Sequence, residues 1–226
     1  MKIIVFDFDG TLTEKHSNTW KFLWSKIKFG KEINDLFYEL YRRKKITYEK
    51  WASLDFAYFK KSGINANDLA DAVENTKLMS GCLELFKYLK YKGIEIHIVS
   101  GGIKQVILPC LGDCKNYCTK IEANDFKLDK NGNLKNIVIT PYDNEGKALY
   151  VEQVIKNNNL TPNDILFVGN SENDEFVHKT GCKTLCINPD NANSQNKAIW
   201  NITIETNNLL DLIPIIDNLL TEQEEK

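Results

Sequence analysis

Asp7 and Asp9 stand two residues apart in Asp7-Phe8-Asp9-Gly10-Thr11, directly after the apolar run Ile3-Ile4-Val5-Phe6. Two carboxylates at the end of a buried strand are costly unless something uses them. A carboxylate can attack a phosphorus atom and form an aspartyl-phosphate, which suits Asp7. A second carboxylate can protonate the leaving oxygen and then take a proton from attacking water, which suits Asp9. Gly10 lets the backbone turn, and Thr11 offers a hydroxyl to hold Asp7. The same residues also suit a plain Asp-Gly turn, with Asp9 merely opening a loop.

Three later stretches carry polar groups in comparable places. Ile94, Ile96, Ile98 and Val99 read as a strand that stops at Ser100-Gly101-Gly102. A Ser100 hydroxyl can bind a phosphate oxygen, and Gly101 lets a backbone N–H approach it. Lys147 falls in the first turn of a helix that carries Leu149, Val151, Val154 and Ile155. A cation there opposes the helix dipole unless an anion sits opposite it. Ile165 to Val168 read as another buried strand, running into Gly169-Asn170-Ser171-Glu172-Asn173-Asp174. Taken singly, Ser-Gly-Gly also suits an ordinary turn and Lys147 a solvated side chain.

The elements that must position these residues alternate. Continuous apolar runs of four or five residues, bounded by turn signals, are the pattern of strands buried on both faces. Helical spacing separates them: Leu83, Leu85, Phe86 and Leu89 end at Gly93, and Leu209 to Leu220 form a last helix. The expected fold is therefore α/β, a doubly wound, mostly parallel sheet whose ligands bind at the carboxyl ends of the strands. Residues 117–140 read as a small antiparallel excursion, with Asp129 to Asn133 as its hairpin turn. Cys182 to Ile187 form a further strand, and Ile202 and Ile204 an edge strand.

Between Thr13 and about residue 78 the spacing is helical throughout. Trp20, Leu23, Trp24 and Ile27 mark one amphipathic helix, with Asn18 or Thr19 as its cap. Ile33, Leu36, Phe37, Leu40 and Tyr41 mark a second, Tyr48, Trp51, Ala52 and Phe59 a third after Thr47, and Leu69, Ala72 and Val73 a fourth opened by Asn65 or Asn67. Four helices exceed one crossover connection. The division is a core of residues 1–13 and 79–220, a helical cap of 14–78, and a polar tail of 221–226. The many aromatic residues of the cap serve mainly its core, with a few turned toward the cleft.

Composition narrows the partners. A chain of 226 residues with net charge −2 supports one sizeable core and no polyanion-binding surface, so nucleic acid is not expected. No apolar run reaches a membrane span, and the N-terminus enters a strand without a leader, so a cytoplasmic protein is expected. Cys110, Cys114 and Cys118 are spaced four apart, yet Gly112 argues for a loop, and the spacing matches no common zinc pattern. Reduced thiols are expected, with a metal or redox role as the minor alternative.

Asp7/Asp9, Ser100, Lys147 and Gly169–Asp174 resemble, in order and residue type, the four motifs of the haloacid dehalogenase superfamily. The insert after the first motif, and the segment Ile46 to Ala52, resemble its phosphoserine-phosphatase branch. The resemblance implies a Mg²⁺-dependent phosphatase acting on a small-molecule phosphomonoester. It implies Asp7 as nucleophile and metal ligand, and Asp9 as general acid/base with its carbonyl on the metal. Thr11, Ser100, Gly101 and Lys147 become phosphate-site residues, and Asp174 an acid near the metal. The family's fourth motif has Gly-Asp where this chain has Gly169-Asn170, so Asn170 offers an uncharged oxygen. A phosphate-binding protein that has lost turnover is the rival this substitution suggests.

Substrate choice by resemblance centres on the cap. His16 stands where phosphoserine phosphatases carry a glutamate for the substrate amino group, and Asp55 near their carboxylate-binding arginine. Trp51 is a further cap candidate. Asp55 lies within the apolar side of its helix, where it is rim-exposed, paired with a base, or turned into the cleft; the rim is the simplest reading. Poor use of phosphoserine is expected, unless Arg42 or Arg43 reaches the cleft.

Overall fold

The computed structural model describes residues 1–15, 17–190 and 199–221. His16 and residues 222–226 of the tail lie outside them, while Thr221 closes the last helix rather than opening a tail. The first strand, β1 (Ile3–Phe6), is buried at every residue. It pairs in parallel with β2 (Glu95–Ile103) on one side and β5 (Ile165–Gly169) on the other. Beyond these lie β3 (Cys118–Leu128) and β4 (Leu134–Val138) at one edge, and β6 (Lys183–Ile187) and β7 (Ile202–Ile204) at the other. The sheet order is β4-β3-β2-β1-β5-β6-β7, parallel except between β3 and β4.

Strand alternation splits the core into two layers. Ile4 and Phe6 pack with α5 (Cys82–Tyr91) and α8 (Ile213–Thr221), through Phe86, Leu89 and Ile216. Ile3 and Val5 face α7 (Glu145–Asn157), through Tyr150, Val151 and Val154. Each fully buried side chain of this size contributes about 1.5–3 kcal/mol. The chain leaves β1 toward β2 and β3, then returns past β1 to β5. The loops after β1, β2 and β5 therefore meet at a crevice along the carboxyl edge.

Two expectations need correction. The segment 117–140 is not a separate antiparallel excursion. Residues Cys118 to Asn124 extend the parallel sheet against β2, and only Asp125 to Leu128 pair antiparallel with β4. Its outer position leaves half of β3 wet, so it lacks the continuous apolar run of a central strand. Nor does β2 stop at Ser100. The strand continues to Ile103, with an irregular register between Val99 and Ile103 that bends Ser100-Gly101-Gly102 out of the ladder.

Four helices follow β1: α1 (Thr19–Ser25), α2 (Gly30–Arg42), α3 (Tyr48–Lys61) and α4 (Ala66–Glu74). Side chains of Asn18, Thr47 and Asn65 cap three of them by accepting backbone N–H bonds. Leu23, Trp24, Phe56 and Phe59 share one apolar cluster with Val106 of α6 (Lys104–Leu111) and Phe126 of β3. Cys110, Cys114 and Cys118 fall on α6, a 3₁₀ turn and β3, so they do not line one helix face.

Asp55 corrects the rim reading, being only 3% exposed, on the buried side of α3. Among the described residues its Oδ1 has no hydrogen-bond partner. Burial lifts its pKa to about 7, opposed only by the nearby indole N–H groups of Trp24 and Trp51. A carboxyl whose folded pKa lies above its unfolded value destabilises the fold as pH rises from about 4 through 7. Asp55→Asn is accordingly expected to stabilise the protein at pH 8 by about 2–4 kcal/mol, with the gain shrinking toward pH 4. Denaturant unfolding at the two pH values measures this; a variant less stable at pH 8 would mean that Asp55 has an ionic partner.

Candidate active site

The turn after β1 sets the first side chains. The backbone N–H of Gly10 donates to Thr13 Oγ1 at 2.8 Å, and the N–H of Leu12 to the Phe8 carbonyl at 3.0 Å. Gly10 has φ +73°, and a Cβ there would lie 2.4 Å from Asn170 Nδ2, so both conformation and space demand glycine. Thr11 does not hold Asp7 as expected. Its hydroxyl donates to Asn170 Oδ1 at 3.3 Å and ties the first turn to the turn after β5.

Lys147 organises the centre. It is fully buried in the first turn of α7, with Nζ 2.6 Å from Asp174 Oδ1, 3.1 Å from Asp7 Oδ1 and 3.8 Å from Asp143 Oδ1. Burial alone would depress its pKa, but Asp174, Asp7 and Asp143 together reverse this and hold it above the ordinary range. Asp174 uses its other oxygen to accept the backbone N–H groups of Asn170 and Ser171, at 2.9 and 3.1 Å. It thus shapes the β5 turn while anchoring the lysine. Burial lifts Asp7 well above the usual carboxylate range, against the pull of Lys147 and with Asp174 adding to the rise.

Asp9 is held by the start of α1. The Thr19 N–H donates to Asp9 Oδ2 at 3.2 Å, and the Thr19 hydroxyl to Oδ1 at 3.4 Å. Burial raises Asp9 to about 6, with both Thr19 bonds pulling the other way. A carboxyl in that range can donate a proton and take one back near neutral pH. Ser100 accepts the Gly102 N–H at 3.0 Å. A Cβ on Gly102 would lie 3.2 Å from Ser100 Oγ and 3.6 Å from Asp9 Oδ2, so these two groups converge there. The Gly101 carbonyl accepts Trp20 Nε1 and Asn124 Nδ2, both at 2.8 Å.

The structure thus gathers Asp7, Asp9, Thr11, Ser100, Gly101, Lys147, Asn170 and Asp174 at one crevice. It places Asp55 on the buried side of α3 and Trp51 half-buried against Tyr41. Sequence reasoning missed Thr19, Asn124, Asn173 and Asp143. Asp143 packs against Gly101, where a Cβ would meet its carboxylate at 2.4 Å, and accepts a hydrogen bond from Asn173 Nδ2 at 2.8 Å. Its place four residues before Lys147, on the incoming turn, is the one signal that pointed to it.

Among the described residues no three acidic, histidine or cysteine side chains form a ready cluster. The donors available are of mixed type: the Asp7 carboxylate, the Asn170 amide oxygen and main-chain carbonyls of the β1 turn. Asp7, Asp143 and Asp174 bring carboxylate oxygens within 3.8 Å of the buried Lys147 ammonium, and burial raises Asp7, Asp9 and Asp143. Oxygen-only donors with surplus negative charge fit a hard divalent cation.

Residues 4–175 match the family described as haloacid dehalogenase-like hydrolase. The chain is 26% identical over 179 residues to a phosphoserine phosphatase of Archaeoglobus fulgidus, covering 78% of this chain and about half, 49%, of that protein. It is 25% identical to a phosphoserine phosphatase of Campylobacter jejuni subsp. doylei, covering 96% of this chain and 100% of that one. A solved phosphoserine phosphatase carrying a phospho-aspartyl intermediate analogue superposes with a TM-score of 0.73 at 19% identity, covering 95% of this chain and 98% of the other. That likeness establishes the shared fold. The chain belongs to the haloacid dehalogenase-like hydrolase family, and within it is similar to the phosphoserine phosphatases.

Proposed function

We propose that the protein is a Mg²⁺-dependent phosphomonoesterase acting in the cytoplasm on a small phosphorylated metabolite. In this reading residues 14–78 form a cap over a core of 1–13 and 79–220. The observation that carries it is the Asp7–Lys147–Asp174 cluster, with Asp9 two residues on and held by Thr19. Lys147, Ser100 and the Gly101 backbone orient the phosphoryl oxygens. An Asp7 oxygen attacks phosphorus as the ester oxygen leaves, taking the proton of Asp9. Asp9 then removes a proton from water, which attacks the aspartyl-phosphate and frees phosphate and Asp7. Thr19 fixes the Asp9 carboxylate for both transfers. Asp7, the Asp9 carbonyl and Asn170 would hold Mg²⁺, which when bound would neutralise charge on the phosphoryl oxygens. Asp174 supports it by holding Lys147 and the Asn170 turn.

Asn170 favours one second reading, a phosphate-binding protein of the same fold with little turnover. Steady-state hydrolysis of p-nitrophenyl phosphate with Mg²⁺ separates the two; absence of phosphate release at saturating Mg²⁺ overturns the enzyme reading. Restoring charge by Asn170→Asp is expected to lower the Mg²⁺ concentration for half-maximal activity by about tenfold, since a charged oxygen ligand binds the ion more strongly. An unchanged or higher midpoint would place Asn170 outside the metal's ligands.

A further inference from the structure

The cap presents a group of rings to the catalytic lysine's end of the crevice. Trp51 stacks on Tyr41 with centroids 4.9 Å apart and planes 22° apart, and meets Tyr48 edge-on at 6.4 Å. All three are half-buried. The Tyr48 hydroxyl accepts Asn124 Nδ2 at 2.8 Å, from the same amide that holds the Gly101 carbonyl. The Tyr41 hydroxyl donates to Glu145 at 3.5 Å, two residues before Lys147. Burial raises both tyrosine hydroxyls, with Glu145 and then Asp143 adding to the rise at Tyr41 and Asp143 at Tyr48. Tyr41 thus touches Glu145, and Tyr48 shares Asn124 with Gly101, against which Asp143 packs.

Lys147 is held between Asp7 and Asp174. Arg42 and Arg43 are the chain's two arginines. Both are exposed and both clasp Glu39, so neither guanidinium supplies the carboxylate fork that phosphoserine needs. Aromatic faces beside carboxylates are the chemistry that recognises an organic ammonium.

Resting on the phosphatase reading above, we infer that the substrate's leaving group carries an ammonium, seated against Trp51, Tyr41 and Tyr48 and facing Asp143 and Glu145. The substrate is then the phosphate monoester of an amino alcohol that lacks a carboxylate.

The experiment compares kcat/KM for phosphocholine, for 3,3-dimethylbutyl phosphate (the same shape without charge) and for phosphoserine. Phosphocholine is expected to exceed its neutral isostere by about tenfold or more, with phosphoserine well below phosphocholine. Trp51→Leu should bring the phosphocholine-to-isostere ratio close to one. Tyr41→Leu, at a less enclosed position, repeats the test if the first variant unfolds, and Tyr41→Phe should keep the ratio. Equal kcat/KM for the charged and neutral esters, a ratio unchanged in the leucine variants, or phosphoserine ranking first overturns the inference. Titration with choline and with 3,3-dimethylbutanol, followed by tryptophan fluorescence, reads cation recognition without turnover. If no ester is hydrolysed, the phosphatase reading falls; preferential choline binding that Trp51→Leu removes still supports the cation site, and its absence rejects it.

Discussion

Asp7→Asn should lower kcat for every phosphomonoester by about 10⁴-fold or more while the protein stays folded. A nucleophile that forms the covalent intermediate has no substitute among its neighbours, and such losses are of this order. The amide keeps the shape of the carboxylate but cannot attack phosphorus. The fold should tolerate it, because Asp7 is already raised by burial and by Asp174, so its charge is a cost to the native state near neutral pH. Thermal unfolding monitored beside single-turnover phosphate release tests both halves. Near-normal turnover in the folded variant would end the covalent mechanism.

Lys147→Met has the second largest expected effect, and it falls on both activity and stability. The variant leaves Asp7, Asp174 and Asp143 without their shared ammonium in a buried setting. Breaking a buried ionic group in this way costs about 3–5 kcal/mol. For a chain of this length that corresponds to a fall in Tm of about 10 °C. Loss of a cation on the phosphoryl oxygens should reduce kcat/KM by about 10³-fold. The double variant Lys147→Met with Asp174→Asn separates the two effects: Tm should recover in part, while turnover should not. If turnover returns with Tm, Lys147 is a structural residue and does not touch the phosphoryl group.

Much of the site is local in sequence. The apolar run of β1, the acid pair after it and the glycine that turns the chain lie within eight residues, so strand, turn and chemistry were legible together. Caps such as Asn18, Thr47 and Asn65 were legible for the same reason, since each bonds a backbone N–H only two or three residues away. The alternation of apolar runs with helical spacing specified a parallel sheet before any pairing was known. Lys147 was readable because a lysine in the first turn of a helix opposes the dipole and here falls in order with three other polar strand ends.

Other features are contacts between distant parts of the chain, and no local pattern encodes them. Thr11 bonds Asn170 rather than Asp7, because the β1 and β5 turns face each other across the crevice. Thr19 reaches Asp9 only once α1 has docked against the core. Trp20 bonds the Gly101 carbonyl from 81 residues away. Asp55 read as a rim residue because an acid on the apolar side of a helix is simplest at its edge, yet Trp24 of α1 and Trp51 of α3 lie beside it and it is buried. Strand β3, next to the edge strand β4, carried too many polar residues to read as part of the parallel sheet, since only Ala123, Asn124 and Phe126 of it are buried. By itself the sequence determined the fold class and singled out the acid pair Asp7 and Asp9, because strand periodicity and turn chemistry act over a few residues. Only the tertiary structure decided which partner each polar group takes and which acids share the buried Lys147 ammonium, because burial and long-range packing set those energies.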